Sequence, residues 1–384
     1  MVGILLTTLQ RSLQSELDQF FAQWPLPDGR LAHDDAFRMA RKKLKPSVFV
    51  DLNQRVLAQA PAVDRRWYGW RVLAADSTTL YLPATHPDTI SATHFNHYYD
   101  AGGGIYSLAR AAALLDVASG LFLRADLASD GLGERAMLAS QLSAMQTNDL
   151  LVLDRGYPAH WLFALLLQQQ RAFCIRLKLD YSPQVSDFVR SGLDSHVITC
   201  QPTRHHAGFA ERELPLTPFR LRLVRVVLPS GQIEVLATSL LDEGQYPASA
   251  FGQLYRQRWR IEEAFRHIKC RLKLEYFGGE TPLAIRQEFH ATILLHNLAT
   301  LAGLDALQAL PEAERSEQHV NLTHASQWLR LLIPQLLCPG ADIAALCIGL
   351  VEGIRCQLTR KRPDRTAPPR KSNRAKPRCH RAYK

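Results

Sequence analysis

The sequence predicts an α/β chain built on a mixed sheet covered by helices, with helical segments before and after it. Between Val72 and Leu177, apolar runs of strand length and helical patterns follow one another as strand, strand, strand, helix, strand, helix, strand. Phe219–Leu228 and Ile233–Leu240 alternate around Pro229-Ser-Gly231, the pattern of a β-hairpin. Tyr255–Lys269 and Gln287–Leu301 contain neither Pro nor Gly and space their apolar residues as helices do.

Each element has its own reason. Residues 1–65 read as a small helical unit, with Leu5, Leu9, Leu13 and Phe20, then Phe49, Leu52 and Val56, at helical spacing. A Pro25–Gly29 break separates the two groups. The cluster Arg41, Lys42, Lys43 and Lys45 reads as a DNA-facing patch or as plain solvated surface. From Trp67 the character changes. Val72–Ala75 is a short buried-strand run that delivers Asp76, followed by Ser77, Thr78 and Thr79. After Gly102–Gly104, two strands are expected at Ile105–Leu115 and Leu121–Leu127, joined by a turn at 118–120. Gly133 leads into a helical pattern from Glu134 to Met145. Asp149–Leu153 is a compact buried strand ending at Asp154, and Arg155-Gly156-Tyr157-Pro158 turns the chain into a helix around Trp161–Leu167. A further strand is expected at Ala172–Leu177. Residues 178–245 read as an insertion whose earlier part, with Arg204, His205 and His206, is an irregular surface loop. Beyond 301, Ala325–Ile333 and Ile343–Val351 are helical patterns suited to packing or dimer contact.

Composition narrows the class. With 384 residues, 47% of them hydrophobic and 21% charged, the chain suits a soluble globular protein. The net charge of +10 is concentrated: residues 355–384 hold twelve Lys and Arg and a single acid, Asp364. Such a Pro- and Arg-rich tail does not fold alone and suits phosphate contact. The seven cysteines include no Cys-x-x-Cys, which argues against a zinc ribbon or thioredoxin-type site and for reduced structural thiols. No apolar run approaches the roughly 20 residues needed to span a bilayer, and the N-terminus lacks a leader pattern. A soluble, cytoplasmic protein without membrane contact is expected.

The chemistry rests on acids. An Asp at a strand end is commonly a turn former, but one that closes an apolar strand stands where open sheets place ligands. Asp76 and Asp154 are expected side by side, and a helix bearing Glu262 can bring a third carboxylate. At about 4 Å and an effective dielectric of about 20, each pair of such charges repels by roughly 4 kcal/mol. A cation would relieve this, and oxygen-only ligands suit Mg²⁺ or Mn²⁺, with two ions able to act together on a phosphate. On a helical wheel Tyr255, Arg258, Glu262 and Lys269 fall within roughly 60° of one another, beside an apolar stripe of Leu254, Ile261, Phe265, Ile268 and Leu272. The plainer reading of that face is solvated charge with an i, i+4 pair of Arg258 and Glu262. Trp259 reads as a packing residue.

The spacing Tyr255-x2-Arg258-x3-Glu262-x6-Lys269 resembles the Tyr-Arg-Glu-Lys signature of the DDE insertion-sequence transposases of the insertion sequence-four group. Asp154-Arg155-Gly156-Tyr157 and Leu73-Ala74-Ala75-Asp76-Ser77 resemble the segments around that group's second and first acids. The resemblance covers roughly 66–300, and more loosely the helical N-terminal unit (1–65) and the basic tail (355–384), which flank a helical region at 301–354. It implies a ribonuclease H-like fold interrupted by a β-strand insertion (178–245), with Asp76, Asp154 and Glu262 as a catalytic, metal-binding triad. It further implies that Tyr255, Arg258 and Lys269 contact phosphates, and that a homodimer joins transposon ends to target double-stranded DNA with Mg²⁺ or Mn²⁺. Rival expectations are a ribonuclease H-like nuclease that cuts without joining, and an inactive DNA-binding regulator. One departure stands out: some members stack a flipped base on a Trp in the insertion, whereas here Trp occurs at 24, 67, 70, 161, 259 and 328. Tyr181, Phe188, Phe209 and Phe219 are the aromatic alternatives.

Overall fold

The computed structural model describes residues 1–360 apart from 8–11, 23, 25–32, 62, 64, 85, 87, 89–93, 100–102 and 204–207. Leu9, the Pro25–Gly29 break, Gly102, the Arg204-His205-His206 segment and residues 361–384 of the basic tail lie outside the described residues.

Four helices come first: α1 (Val2–Leu6), α2 (Leu13–Phe21), α3 (Asp34–Arg41) and α4 (Ser47–Ala58). The central part runs β1 (Arg71–Leu82), β2 (Asn96–Tyr99), β3 (Ile105–Asp116), β4 (Phe122–Ser129), α5 (Glu134–Gln141), β5 (Asp149–Leu153), α6 (His160–Gln168) and β6 (Ala172–Leu177). It continues through α7 (Pro183–Ser191), β7 (Ser195–Cys200), β8 (Phe219–Val227) and β9 (Ile233–Thr238). Next are α8 (Phe251–Arg256), α9 (Trp259–Arg266), α10 (Pro282–Gln308) and α11 (Glu312–Arg315). A two-residue strand β10 (Gln318–His319), α12 (Leu322–Leu336), α13 (Ile343–Arg355) and β11 (Thr359–Arg360) end the described chain.

Strands β1–β9 form one mixed sheet, in the order β2-β3-β1-β5-β6-β9-β8-β7, with β4 also on β3. β1 pairs with β3 antiparallel, and β5 and β6 continue parallel to β1. β2 and β4 share the other edge of β3 end to end. The hairpin β8–β9 expected from the Pro-Ser-Gly turn does not stand apart: β9 pairs antiparallel with β6, so residues of the 178–245 segment extend the central sheet. Ahead of the Arg204-His205-His206 segment it forms α7 and β7. Ser182 caps α7 by accepting the Val185 amide, Pro183 fills the first turn, and Gly192 closes the helix at φ 75°.

Both faces of the sheet are covered. Val72, Ala74, Leu150 and Val152 face a core shared with Ile261, Phe265, Phe289 and Leu294, whereas Leu73, Leu151, Leu153 and Ile175 face Leu138, Leu162, Phe163 and Val185. β5, buried along its whole length, lies between these layers.

Helix α10, roughly 40 Å long at 1.5 Å per residue, joins the parts. Asn297 donates to Asn53 of α4 (2.7 Å) and to the Phe122 carbonyl (2.9 Å), and accepts the Phe122 amide (2.9 Å). Arg41 alone departs from the surface reading of its cluster, for it is 8% exposed and bonded to α10, whereas Lys42, Lys43 and Lys45 are exposed. Its guanidinium reaches Glu288 and Gln287, both at 2.7 Å, and the Ala284 carbonyl at 2.9 Å. A buried charge needs such partners. Among the described residues, no helix is long and apolar enough to cross a membrane.

Candidate active site

The parallel ladder of β1 and β5 runs from Arg71↔Asp149 to Ala74↔Val152. Two residues further along each strand stand Asp76 and Asp154, at the carboxyl end of β5. Side chains alternate across a sheet, so both acids fall on the face of Val72, Ala74, Leu150 and Val152, toward α9. Asp76 is not at a strand end, as the short apolar run suggested. β1 continues to Leu82 because β3 pairs with it as far as Leu82↔Ser107.

Glu262 comes from α9. The stretch expected as one helix is three pieces. The amides of Gln257, Arg258, Arg260 and Ile261 reach back three residues rather than four, and the chain after α9 closes in a π turn at His267–Arg271. A single 100° wheel therefore does not hold across it. Tyr255 is 6% exposed, and burial, ahead of its neighbouring charges, pushes its phenol far above the ordinary value. Arg258 is 7% exposed and pairs with Glu262 at 2.7 Å. Lys269 turns to β1, donating to the Thr79 carbonyl at 2.8 Å and pairing with Glu275 at 3.3 Å.

Two orphaned atoms lie in this stretch. The Tyr255 hydroxyl and Arg258 Nε are buried without a hydrogen-bond partner. Unmet buried donors are costly, and a phosphate is a ligand that both could serve. Trp259, expected to pack, is instead 54% exposed, with the Arg258 guanidinium 5.1 Å from its ring.

The acids sense one another. Burial pushes the Asp76 carboxyl up to about 7; the charges of Asp154 and Glu262 add to this, while the Ser77 amide and Arg258 oppose it. Asp154 accepts the Gly156 amide at 2.8 Å. The donor set is oxygen only, and the burial and like charges that disfavour the ionised Asp76 are what a bound cation would offset, which fits a hard divalent ion. The three acids are not drawn as tight as a closed site. Among the described residues, the group of three or more whose ligand atoms all lie within 4.8 Å of one another is His33, Asp34 and Asp35. There His33 accepts the Asp35 amide as the cap of α3.

The transposase DDE domain profile matches residues 67–298, more than half of the chain and all three acids. The chain belongs to the DDE transposase domain family. It is 26% identical over 163 residues to "Putative transposase y4zB" of Sinorhizobium fredii, covering 42% of this chain and 44% of that protein. It is 25% identical over 242 residues to "Transposase InsG for insertion sequence element IS4" of Escherichia coli strain K12, covering 60% and 52%. The chain spans about half the length of these curated relatives. A cryo-EM structure of the piggyBac transposase synaptic complex with hairpin DNA superposes on 92% of this chain and 75% of its own, at a TM-score of 0.46 and 12% identity.

Within this DDE domain, sequence reasoning passed over Glu134. It opens α5 from the opposite face of the sheet, and its Oε2 accepts the Ser77 hydroxyl at 3.1 Å. Only its place at the start of a helix after Gly133 hinted at it. The aromatic alternatives for base stacking are mostly committed elsewhere. Phe188 and Phe209 are each 3% exposed in the core, and Tyr181 stacks on His160 at 5.7 Å.

A pH effect follows from Asp76. The native protein keeps this proton up to about pH 7, whereas the ordinary value is 3.8. The folded state thus binds more protons between these limits, so stability without divalent ions falls as pH rises across the window and levels off above it. At about 1.4 kcal/mol per unit, Asp76→Asn is expected to stabilise the ion-free protein at pH 8 by on the order of 4 kcal/mol. Denaturant melts at pH 8 and pH 4 check this, the difference vanishing at pH 4. An Asn variant no more stable at pH 8 contradicts it.

Proposed function

We propose that this chain is a transposase of the insertion sequence-four type. It binds the inverted-repeat ends of its element as double-stranded DNA, hydrolyses one strand to free a 3′-hydroxyl, and joins that hydroxyl to target DNA. What supports this reading most is the placement of Asp76 and Asp154 by the β1/β5 register opposite Glu262, beside the unpartnered Tyr255 hydroxyl and Arg258 Nε. The strand order β4-β3-β1-β5-β6, with β3 antiparallel and β5 and β6 parallel to β1, is the arrangement expected of a ribonuclease H-like core.

Asp76, Asp154 and Glu262 would hold Mg²⁺ or Mn²⁺, two ions on this reading, which supply charge neutralisation at the phosphate and a more acidic water or 3′-hydroxyl. The chain's own groups do the rest. Arg258 steadies Glu262 through one nitrogen and offers another to a phosphate oxygen, and Tyr255 adds a hydroxyl donor. Lys269, bonded to Thr79 and Glu275, serves the phosphate by its charge while bracing β1. In cleavage, the water oxygen bonds to phosphorus as the strand's 3′ oxygen leaves and takes up a proton. In joining, the freed 3′-hydroxyl replaces the target's own 3′ oxygen at phosphorus. Residues 66–300 carry this chemistry, with 178–245 inserted before α8, and residues 1–65 and the tail 355–384 hold DNA. Two copies act as a homodimer in the cytoplasm, flanked on each chain by the helical region 301–354.

The test is incubation of the protein with an end-bearing duplex, target plasmid and Mg²⁺. Nicked ends with free 3′-hydroxyls and end-to-target joined products are expected. Cutting without joining would make it a nuclease, and binding with neither product a regulator.

A further inference from the structure

Gly156 follows the Asp154-Arg155 turn, yet it is absent from the glycines of positive φ, so its backbone does not demand glycine. Space does. A Cβ at this position would lie 2.7 Å from Glu134 Oε1 and 3.1 Å from Asp154 Oδ1. Two carboxylates from opposite faces of the sheet therefore converge over one Cα.

The rest of the surroundings ties Glu134 to the same centre. Its Oε2 accepts the Ser77 hydroxyl at 3.1 Å, while the Ser77 amide donates to Asp76 Oδ1 at 2.7 Å. Arg110 donates to the Ser77 oxygen at 3.3 Å. The neighbouring Arg135 grips the Gly156 carbonyl through two nitrogens, at 3.0 and 2.6 Å, and so fixes α5 against the turn that bears Asp154. A first-turn acid gains from the helix dipole alone, but that role needs neither the Ser77 bond nor the gap at Gly156. Independently, the unpartnered Nε of the buried Arg258 points to an anionic ligand at this centre.

We propose that Glu134 is a fourth carboxylate of the metal-binding centre, holding a divalent cation jointly with Asp154 and positioned by Ser77. This inference rests on the transposase reading of Asp76, Asp154 and Glu262. Glu134 then sets how tightly the centre binds its cation, and Gly156 keeps open the space in which the two acids act together. Removal of a group that tunes a metal site commonly costs about 10–100-fold in affinity.

The experiment is Mn²⁺ titration of the full chain, read by the loss of the free-ion electron paramagnetic resonance signal, alongside the Mg²⁺ dependence of strand cleavage. Glu134→Gln is expected to weaken Mn²⁺ binding at least tenfold and to raise the Mg²⁺ concentration for half-maximal cleavage by a similar factor, with an unchanged melting temperature. Gly156→Ala, which alters no charge, is expected to do the same by forcing the carboxylates apart. Asp154→Asn is the control for the centre itself. If Asp154→Asn loses Mn²⁺ while both other variants bind it as the unaltered chain does, Glu134 is no ligand and the inference is overturned. If Asp154→Asn also binds normally, the transposase centre has been misplaced altogether.

Discussion

Glu262→Gln is expected to lower strand cleavage and joining by about 10³-fold, equivalent to about 4 kcal/mol of transition-state stabilisation. The change keeps the size of the side chain and its hydrogen bond to Arg258, at 2.7 Å in the unaltered chain, but removes its charge. The fold has little reason to respond. Glu262 is partly exposed on α9, while Ile261 and Phe265 beside it carry the packing. Cleavage of an end-bearing duplex, followed with the melting temperature, separates the two effects. Undiminished cleavage with intact folding would remove Glu262 from the centre.

Arg41→Met is expected to cost about 3–5 kcal/mol of stability, the usual penalty for leaving one member of a buried ion pair behind. Glu288 would lose its 2.7 Å partner, and the Gln287 side chain and Ala284 carbonyl their donors, in a site where Arg41 is 8% exposed. The loss falls where α3 is fastened to α10. Urea unfolding measures it, and a change below about 1 kcal/mol would show that water takes the place of the guanidinium. The paired variant Arg41→Met with Glu288→Met should lose less than the single one, since no charge remains buried.

Much of the fold was legible from local pattern. Leu150–Leu153 is apolar throughout and bounded by turn residues, and with Asp149 it is β5; the alternation around Pro229–Gly231 is the β8–β9 hairpin. Helical spacing found α10 and α12, because a buried stripe must recur every three to four residues. Pattern failed where a partner decided the matter. Ser77, Thr78 and Thr79 are polar, yet they are strand because β3 supplies their hydrogen bonds. Arg41 reads as a surface cation until α10 offers it a carboxylate. Trp259 reads as a packing residue, but the three-residue hydrogen bonds around Arg258 leave it outside the core.

By itself, the sequence determined the mixed α/β order, the apolar strand that ends in Asp154, and the spacing of Tyr255, Arg258, Glu262 and Lys269, all features written in neighbouring residues. Tertiary structure alone decided that β7–β9 extend the central sheet, that Lys269 turns to the Thr79 carbonyl, and that Glu134 meets Asp154 over Gly156. The physical reason is range. Periodicity and turn chemistry act over a few residues, whereas register, burial and the meeting of charges from opposite faces of a sheet depend on segments far apart in the chain.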